Sequence, residues 1–338
     1  LNTEPGARII SWWDYGHWFK AIAKKPVLFD GKTQNSPIAF WMAKVITTDS
    51  EEEAMGILRM LDISKNKAFD LLESCGISHV RSIDILRDII KLKEDKARDY
   101  LKGILDKEKV DKLMALLFSK ELPSAYFIAS YDMLGKMSAI SFIGNWDFKK
   151  GDIWINFLDK SYPEFIKYLK SEYGYEKEKN IDLLRELSLL KAKEAPSWVS
   201  RVSGIYINSI ANKFKKDNNL LIFDNGMVFD LSNFNVYIQR GQNNDIGIPY
   251  SVVYMKNGVL QERILDNSNL GFSVLLFNAD DKDSYKSISL DKDLAKSIFI
   301  RMYFFKGEGL KYFKKVQEEK TQEGNSIFIY KVEWPNGI

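Results

Sequence analysis

Apolar residues between positions 50 and 120 recur at intervals of three and four, the spacing that places side chains on one face of an α-helix. Ala54, Ile57 and Leu61 form one such row, and Ser50 precedes it as a capping residue. Similar rows predict further helices over residues 64–75, 96–105 and 108–120. The opposite faces are rich in lysine and glutamate. This region is therefore predicted to be a set of helices with solvated outer faces over a common core.

Short apolar runs without helical spacing predict extended segments over residues 7–11, 25–30, 124–130, 151–158 and 326–334, and a β-rich stretch over 220–290. Within that stretch, Asn225-Gly226 and Asn257-Gly258 lie between apolar runs, which is the strongest short-range signal for hairpins. Helices are predicted over residues 179–195, 197–214 and 296–316. The whole pattern predicts an α+β fold.

Composition narrows the class of protein. The 338 residues suffice for about two to three domains, and 45% hydrophobic with 28% charged residues indicates a globular chain. The net charge of +3 is spread without a dense run of one sign, so neither a nucleic-acid footprint nor a polybasic membrane patch is indicated. No apolar run approaches the ~18 residues that span a bilayer. Because the chain starts at Leu1 rather than methionine, we expect it to be part of a longer polypeptide.

An aromatic cluster with one carboxylate follows the first predicted strand. Residues 11 to 16 read Ser-Trp-Trp-Asp-Tyr-Gly. An indole N–H is a donor only, whereas an ionised carboxylate is an acceptor only. Trp12 and Trp13 could donate to a hydroxyl oxygen while Asp14 accepts its proton, and Gly16 permits the tight backbone needed to crowd these groups together. The alternative is a buried aromatic cluster in which Asp14 is a cap.

This cluster resembles the WWDYG signature of the catalytic subunit of oligosaccharyltransferase, the membrane enzyme that N-glycosylates asparagine in Asn-X-Ser/Thr sequons. Residues 26–61 and 297–316 also resemble archaeal members, the AglB family. The resemblance implies a mostly helical central core domain over residues 1–140 and 292–338, which carries the signature. Residues 141–291 would then form an insertion, helical at first and then rich in β-strands.

In that family the signature lies in an extracytoplasmic C-terminal globular domain and binds the Ser or Thr at sequon position +2. Carried over, Trp12 and Trp13 donate to that hydroxyl and Asp14 accepts from it, while Tyr15 and Gly16 complete the motif. The resemblance thus implies an acceptor-sequon recognition domain at the extracytoplasmic face of the cell membrane.

A second family element, a motif with Lys and Ile on a helix that flanks the sequon pocket, resembles residues 132–140. Asp132, Lys136 and Ile140 are four residues apart, so in a helix they would form one stripe. The resemblance implies that Ile140 contacts the threonine methyl group and that Lys136 adds polar support. The spacing from Asp132 to Lys136 is wider than in the family, and Asp132 could instead cap the helix.

Catalysis in the family requires Mn²⁺ or Mg²⁺, held by acidic residues on loops of a multi-spanning membrane domain, and a lipid-linked oligosaccharide. We identify no catalytic or metal-binding residues in this sequence. The full-length enzyme is expected to transfer the oligosaccharide to asparagine, whereas this chain alone is expected to be inactive. Its expected partners are an acceptor polypeptide and, through the missing membrane domain, the lipid-linked oligosaccharide, but no nucleic acid.

Two other classes of function remain as alternatives. A carbohydrate-binding or structural module would use aromatic rings as stacking platforms, and its rings would have to be exposed. A metal-dependent hydrolase would need clusters of acidic or histidine residues, and the sequence shows no such cluster: its two histidines, His17 and His79, lie far apart in the chain.

Overall fold

The structure is a computed structural model that describes residues 4–118, 121–240, 245–278 and 284–335. The helices are α1 (Gly16–Ala21), α2 (Pro37–Thr47), α3 (Glu51–Ile63), α4 (Lys67–Ser74), α5 (His79–Ile89), α6 (Glu94–Leu101), α7 (Lys107–Leu117), α8 (Asp132–Gly144), α9 (Phe148–Asp159), α10 (Tyr162–Tyr173), α11 (Lys177–Leu189), α12 (Ala195–Val199) and α13 (Ile298–Tyr303). The predicted α+β fold class is confirmed.

The strands are β1 (Arg8–Ile10), β2 (Ala125–Ser130), β3 (Ile205–Ala211), β4 (Phe214–Asp217), β5 (Leu220–Phe223), β6 (Met227–Asp230), β7 (Asn235–Arg240), β8 (Asp245–Gly247), β9 (Ser251–Lys256), β10 (Val259–Ile264), β11 (Phe272–Asn278), β12 (Tyr285–Asp291), β13 (Phe313–Lys320) and β14 (Ser326–Val332). They form a four-stranded sheet in the order β1-β2-β14-β13 and two five-stranded sheets in the orders β10-β9-β11-β12-β3 and β4-β5-β6-β7-β8.

Helix α2 lies at the centre of the main core. Most of its side chains are buried on every face, and it packs against α3, α8 and α13. The Ser36 hydroxyl accepts a hydrogen bond from the amide of Ile38 and begins the helix, with Pro37 in the first turn. A helix that is apolar all round must be covered on all sides, which explains why α2 organises the helices predicted from the amphipathic rows.

The four-stranded sheet joins distant parts of the chain. Strands β1 and β2 are parallel, whereas β14 is antiparallel to both β2 and β13. One face packs Phe127 and Tyr330 into the main core. The other face carries a smaller apolar cluster with Ile128 and Ile329, which Phe19 of α1 covers in part. This second face becomes important for the functional site.

The region after α8 contains helices α9 to α12 with a small core of their own, followed by the two five-stranded sheets. The predicted hairpins are present. Asn257 and Gly258 both have positive φ, 53° and 74°, as a two-residue hairpin turn between β9 and β10 requires. Gly226, with φ of 81°, turns the chain from β5 into β6. The domain boundaries stay a prediction.

Two predictions in this region are wrong. Residues 151–158, predicted to be extended, belong to α9, where Ile153 and Phe157 lie four residues apart and pack on the same small core. Residues 197–214, predicted to be one helix, contain the end of α12 and then β3, whose residues alternate between half-buried and exposed because it pairs with β12.

Two predictions nearer the chain ends also need correction. The predicted helix over residues 296–316 is confined to α13, and its last residues belong to β13. Gly307 and Gly309 separate the two elements with positive φ values of 75° and 73°, which no helix accommodates. The predicted strand over residues 25–30 is reduced to a single bridge between Val27 and Ile9. Within the described residues, no helix is both long and apolar enough to cross a membrane.

Candidate functional site

The parallel pairing of β1 and β2 brings two distant segments to one edge of the sheet. Ile10 pairs with Phe127, so both strands run toward the same edge. The aromatic cluster follows β1 directly, with a short 3₁₀ turn over Trp13–Tyr15 that leads into α1. Helix α8 follows β2 after a single residue. The signature and the start of α8 therefore meet at this edge.

Lys136 connects the two segments. Its ammonium lies 2.9 Å from Oδ1 of Asp14 and 2.8 Å from Oδ2 of Asp132, one helical turn earlier on α8. The Ser130 hydroxyl donates to the other oxygen of Asp132. Burial alone would lower the pKa of Lys136, but its hydrogen bonds with Asp132 and Asp14 outweigh that effect and raise the pKa above its ordinary value. The three charged groups form a fixed carboxylate–ammonium–carboxylate cluster.

One oxygen of this cluster is left without a partner. Oδ2 of Asp14 is buried and accepts no hydrogen bond from any described residue, although the Asp14 side chain as a whole is 22% exposed. A buried, unpaired carboxylate oxygen is unfavourable by about 1–3 kcal/mol. An acceptor of this kind next to a fixed cation is a position where a ligand that donates a hydrogen bond would be stabilised.

The two indoles of the signature also lack protein partners. Trp12 is 5% exposed and packs edge-on against Phe29 with ring centroids 5.1 Å apart, and Trp13 is half-buried against the main core. Neither indole nitrogen donates a hydrogen bond to a residue in the described ranges. Neither is among the side-chain atoms of those residues that are both buried from solvent and without a hydrogen-bond partner. Buried tryptophan usually finds a partner for its N–H. The signature therefore presents two unused donors and one unused acceptor.

A cavity of about 680 Å³ opens beside the signature. Trp12, Tyr15 and Asp132 form part of its wall, and Trp18 of α1, 62% exposed, forms another. Residues of β13, of β14 and of the turn between them line it as well. Trp13, Asp14 and Lys136 do not line this cavity. A ligand in the cavity would thus reach Trp12 first.

Gly16 is required by close packing rather than by its backbone angles. A Cβ atom on Gly16 would lie 2.5 Å from the Cβ of Asp30 and 2.7 Å from the carbonyl oxygen of Phe29. Asp30 is buried, and it accepts from the Lys20 ammonium and, at 3.0 Å, from the amide of Lys32. Burial would raise the pKa of Asp30, but these donors lower it overall. An aspartate side chain that accepts from the amide two residues later is the pattern that indicates such an anchor.

Ile140 does not join the cluster. It is fully buried in the main core and offers no surface to a ligand in this conformation. An α-helix turns by about 100° per residue, so each step of four residues overshoots a full turn by about 40°. Two such steps carry Ile140 away from the face of Asp132 and toward the core. Its predicted contact with a threonine methyl group stays a prediction.

Comparisons with known proteins agree with the signature. Residues 6–150 match the model of the STT3/PglB/AglB core domain. This segment, less than half of the chain, is thus similar to the STT3/PglB/AglB core domain. The chain is 32% identical over 157 residues to a dolichyl-phosphooligosaccharide-protein glycotransferase of Methanococcus voltae, a match that covers 44% of this chain and 17% of that protein. The equivalent protein of Methanocaldococcus jannaschii is 32% identical over 155 residues, 44% of this chain and 16% of that protein.

More distant relatives share shorter segments. The STT3 subunit of a Dictyostelium discoideum dolichyl-diphosphooligosaccharide–protein glycosyltransferase is 39% identical over 62 residues, 18% of this chain and 8% of that protein. The C-terminal domain of C. jejuni PglB aligns in structure with 98% of this chain and 95% of that chain, at 13% identity and a TM-score of 0.42. The matches to the two archaeal relatives span about a sixth of their length.

Every predicted site residue lies inside the family segment, and the β13–β14 hairpin lies outside it. The cluster of Asp14, Lys136 and Asp132 does not fit a divalent metal. Asp14 and Asp132 hold the Lys136 ammonium between them, which occupies the position a cation would take. Within the described ranges, no three His, Cys, Asp or Glu side chains come close enough to hold an ion.

Proposed function

We propose that this chain binds the Ser or Thr hydroxyl of an Asn-X-Ser/Thr sequon in an acceptor polypeptide. The observation that carries the proposal is the buried, unpaired Oδ2 of Asp14, together with the unused N–H donors of Trp12 and Trp13, the two residues that precede it in the chain. The family segment over residues 6–150 supports it, because related proteins are named as glycotransferases that act on protein.

The donor and acceptor count matches a hydroxyl. A hydroxyl has one hydrogen to donate and two lone pairs that accept. Asp14 takes the hydrogen through Oδ2, while the two indole N–H groups fill the lone pairs. Lys136 occupies Oδ1 of Asp14 and so leaves one oxygen for the ligand. A valine side chain of the same shape would leave all three groups unpaired, a loss that typically reaches 10⁴–10⁵ in discrimination for a fully buried site.

Access to Oδ2 requires a small local movement. This oxygen has no contact with solvent in the present conformation, whereas the cavity wall at Trp12 is open. The unpaired oxygen offsets part of the cost of that movement, because binding removes its desolvation penalty. Asp132 acts as a positioning residue: it holds Lys136 through a second ion pair while Asp14 engages the ligand.

In the whole enzyme, this chain serves as the acceptor-recognition part of an oligosaccharyltransferase. Mn²⁺ or Mg²⁺ and the lipid-linked oligosaccharide bind parts of the polypeptide outside this chain, so the chain alone transfers no oligosaccharide. The site lies on the extracytoplasmic face of the membrane. The archaeal relatives, of which the matched segment covers 17% and 16%, have ample additional sequence for those functions.

A peptide pair tests the proposal directly. The chain is titrated with an Asn-Ala-Thr peptide and a matched Asn-Ala-Val peptide, and binding is followed by NMR of the tryptophan side-chain N–H signals. We expect weak binding of the threonine peptide, with shifts of the Trp12 and Trp13 indole signals, and at least tenfold weaker binding of the valine peptide. Equal binding of both peptides, or no indole shifts at saturation, would refute the assignment.

One observation favours a carbohydrate-binding module as a second candidate. Trp18 and Tyr15 are 62% and 43% exposed, and both rings line the cavity, as a stacking platform for sugars requires. A tryptophan fluorescence titration with a free oligosaccharide separates the two functions. A response to the glycan and none to the threonine peptide would favour the module; the reverse favours sequon recognition.

A further inference from the structure

The β13–β14 hairpin directs one of its faces into the cavity beside the signature. Ile327 of β14 pairs with Ser130, the last residue of β2, and Lys320 pairs with Ser326. The hairpin turn therefore lies at the same sheet edge as the signature and the start of α8. Side chains alternate along a strand, so every second residue faces the same way. These residues line the cavity: Gln317, Glu319, Thr321, Glu323, Asn325, Ile327 and Ile329.

The charge of the cavity wall is of one sign. Asp132, Glu319 and Glu323 line it, and none of its described lining residues is a lysine or arginine. Asp132 is paired with Lys136. Glu319 accepts only from the Gln317 amide, at 2.6 Å, and neither Glu319 nor Glu323 has an ion pair with any residue of the described ranges.

The neighbouring Glu318 provides a contrast. It does not line the cavity, and it forms an ion pair with Lys315 at 3.2 Å. In the hairpin, the carboxylate outside the cavity, Glu318, thus has a cation beside it. The two that line the cavity, Glu319 and Glu323, have no ion pair within the described residues. Two carboxylates that line a cavity and have no ion pair attract a basic group from a ligand.

The floor of the cavity is apolar. Ile128, Ile327 and Ile329 of the sheet face Phe19 and Trp18 of α1 across it. A lysine or arginine side chain has a long hydrocarbon stem and a charged end, and it places the stem on apolar surface while the charge stays near water. Its stem matches the isoleucine floor, and its charge matches the rim at Glu319 and Glu323.

We propose that this cavity binds a lysine or arginine of the acceptor polypeptide that flanks the sequon. The proposal rests on the proposed function, since the cavity shares Trp12 and Asp132 with the sequon site. General attraction between charges does not account for it: the chain has a net charge of +3 and repels basic peptides overall. A preference for a basic flanking residue would therefore be local to the cavity, and it would set which sequons are used.

A peptide panel tests the proposal. Threonine-sequon peptides carry Lys, Gln or Glu at each flanking position in turn, and their dissociation constants for the chain are measured by NMR. At one or two positions we expect Lys to bind about two- to tenfold more tightly than Gln, and Glu more weakly than Gln, with the difference shrinking at high salt. The double variant Glu319→Gln, Glu323→Gln should lose this preference.

The matched control is Glu318→Gln, which changes a carboxylate outside the cavity and should keep the preference. An absence of charge preference at every flanking position, or a preference that survives in the double variant, would overturn the proposal. The sequon function is scored separately by the threonine and valine peptides. If the flanking residue has no effect but threonine still binds more tightly than valine, only the proposal for this cavity fails. If threonine and valine bind equally, the proposed function fails.

Discussion

Replacing Asp14 by alanine should remove ligand binding without destabilising the fold. Two effects on stability oppose each other. The variant loses the ion pair with Lys136, worth about 0.2–1 kcal/mol, because the Lys136 side chain is 36% exposed and keeps its pair with Asp132. It also removes the buried, unpaired Oδ2, which relieves about 1–3 kcal/mol. The net change is between about zero and about 3 kcal/mol of stabilisation.

The matched control is Asp30→Ala, which removes another carboxylate near the signature. Asp30 is buried with several donors, among them the Lys20 ammonium and the amide of Lys32. Its loss leaves these donors unpaired, so we expect destabilisation of about 2–5 kcal/mol. Equilibrium unfolding in urea, followed by circular dichroism, measures both variants, and peptide NMR measures binding.

The two variants thus distinguish a ligand-binding carboxylate from a structural one. If Asp14→Ala destabilises the chain as much as Asp30→Ala does, Asp14 is a structural cap, and the reasoning from its unpaired oxygen is wrong. If Asp14→Ala keeps its stability but still discriminates threonine from valine, the assigned acceptor is wrong although the energetic argument holds.

Three further predictions concern the framework around the site. Gly16→Ala should destabilise the chain by about 1–3 kcal/mol in thermal unfolding because a Cβ would lie 2.5 Å from another side chain, whereas Gly103→Ala, which meets nothing within 4 Å, should not. Glu51→Ala should cost about 3–5 kcal/mol in urea unfolding because this buried carboxylate accepts two backbone amides and an arginine; a loss below about 1 kcal/mol would contradict this. The hydrogen bond from the Tyr126 hydroxyl, and after it a hydrogen bond from the backbone of Glu4, lower the pKa of Glu4 to about 2. The contribution of Glu4 to the free energy of unfolding is therefore present above about pH 4.5 and lost as pH falls toward 2. NMR titration should show this, and Tyr126→Phe should raise the pKa; an unchanged pKa would contradict the assignment.

Local patterns carried enough information for much of the fold. The helical rows between positions 50 and 120 correspond to α3, α4, α6 and α7, because each helix buries one stripe against a common core; α5 was not predicted as a separate helix. The hairpin at Asn257-Gly258 was predictable because only a few residues accept positive φ at both positions of its turn. Asp132 and Lys136 were predictable neighbours because four residues make about one helical turn.

Features set by distant pairing were not predictable from the pattern. Residues 205–211 have helix-like spacing, yet pairing with β12, about 80 residues later, makes them a strand. The meeting of Asp14 with Lys136 depends on the parallel pairing of β1 with β2, which no local spacing reveals. The pattern also does not reveal the acidic residues Glu319 and Glu323 of the cavity, because it predicts a helix over residues 296–316, where β13 begins, and no element over residues 317–325.

A structure of this chain with a bound threonine-sequon peptide would show whether Asp14 accepts the hydrogen of the threonine hydroxyl. A peptide tethered to the chain compensates for weak affinity. We expect the threonine hydroxyl oxygen about 2.5–3.0 Å from Oδ2 of Asp14, with at least one indole N–H of Trp12 or Trp13 directed at the same oxygen. A peptide seated in the cavity whose hydroxyl bonds elsewhere, with Oδ2 of Asp14 still unpaired, would contradict it.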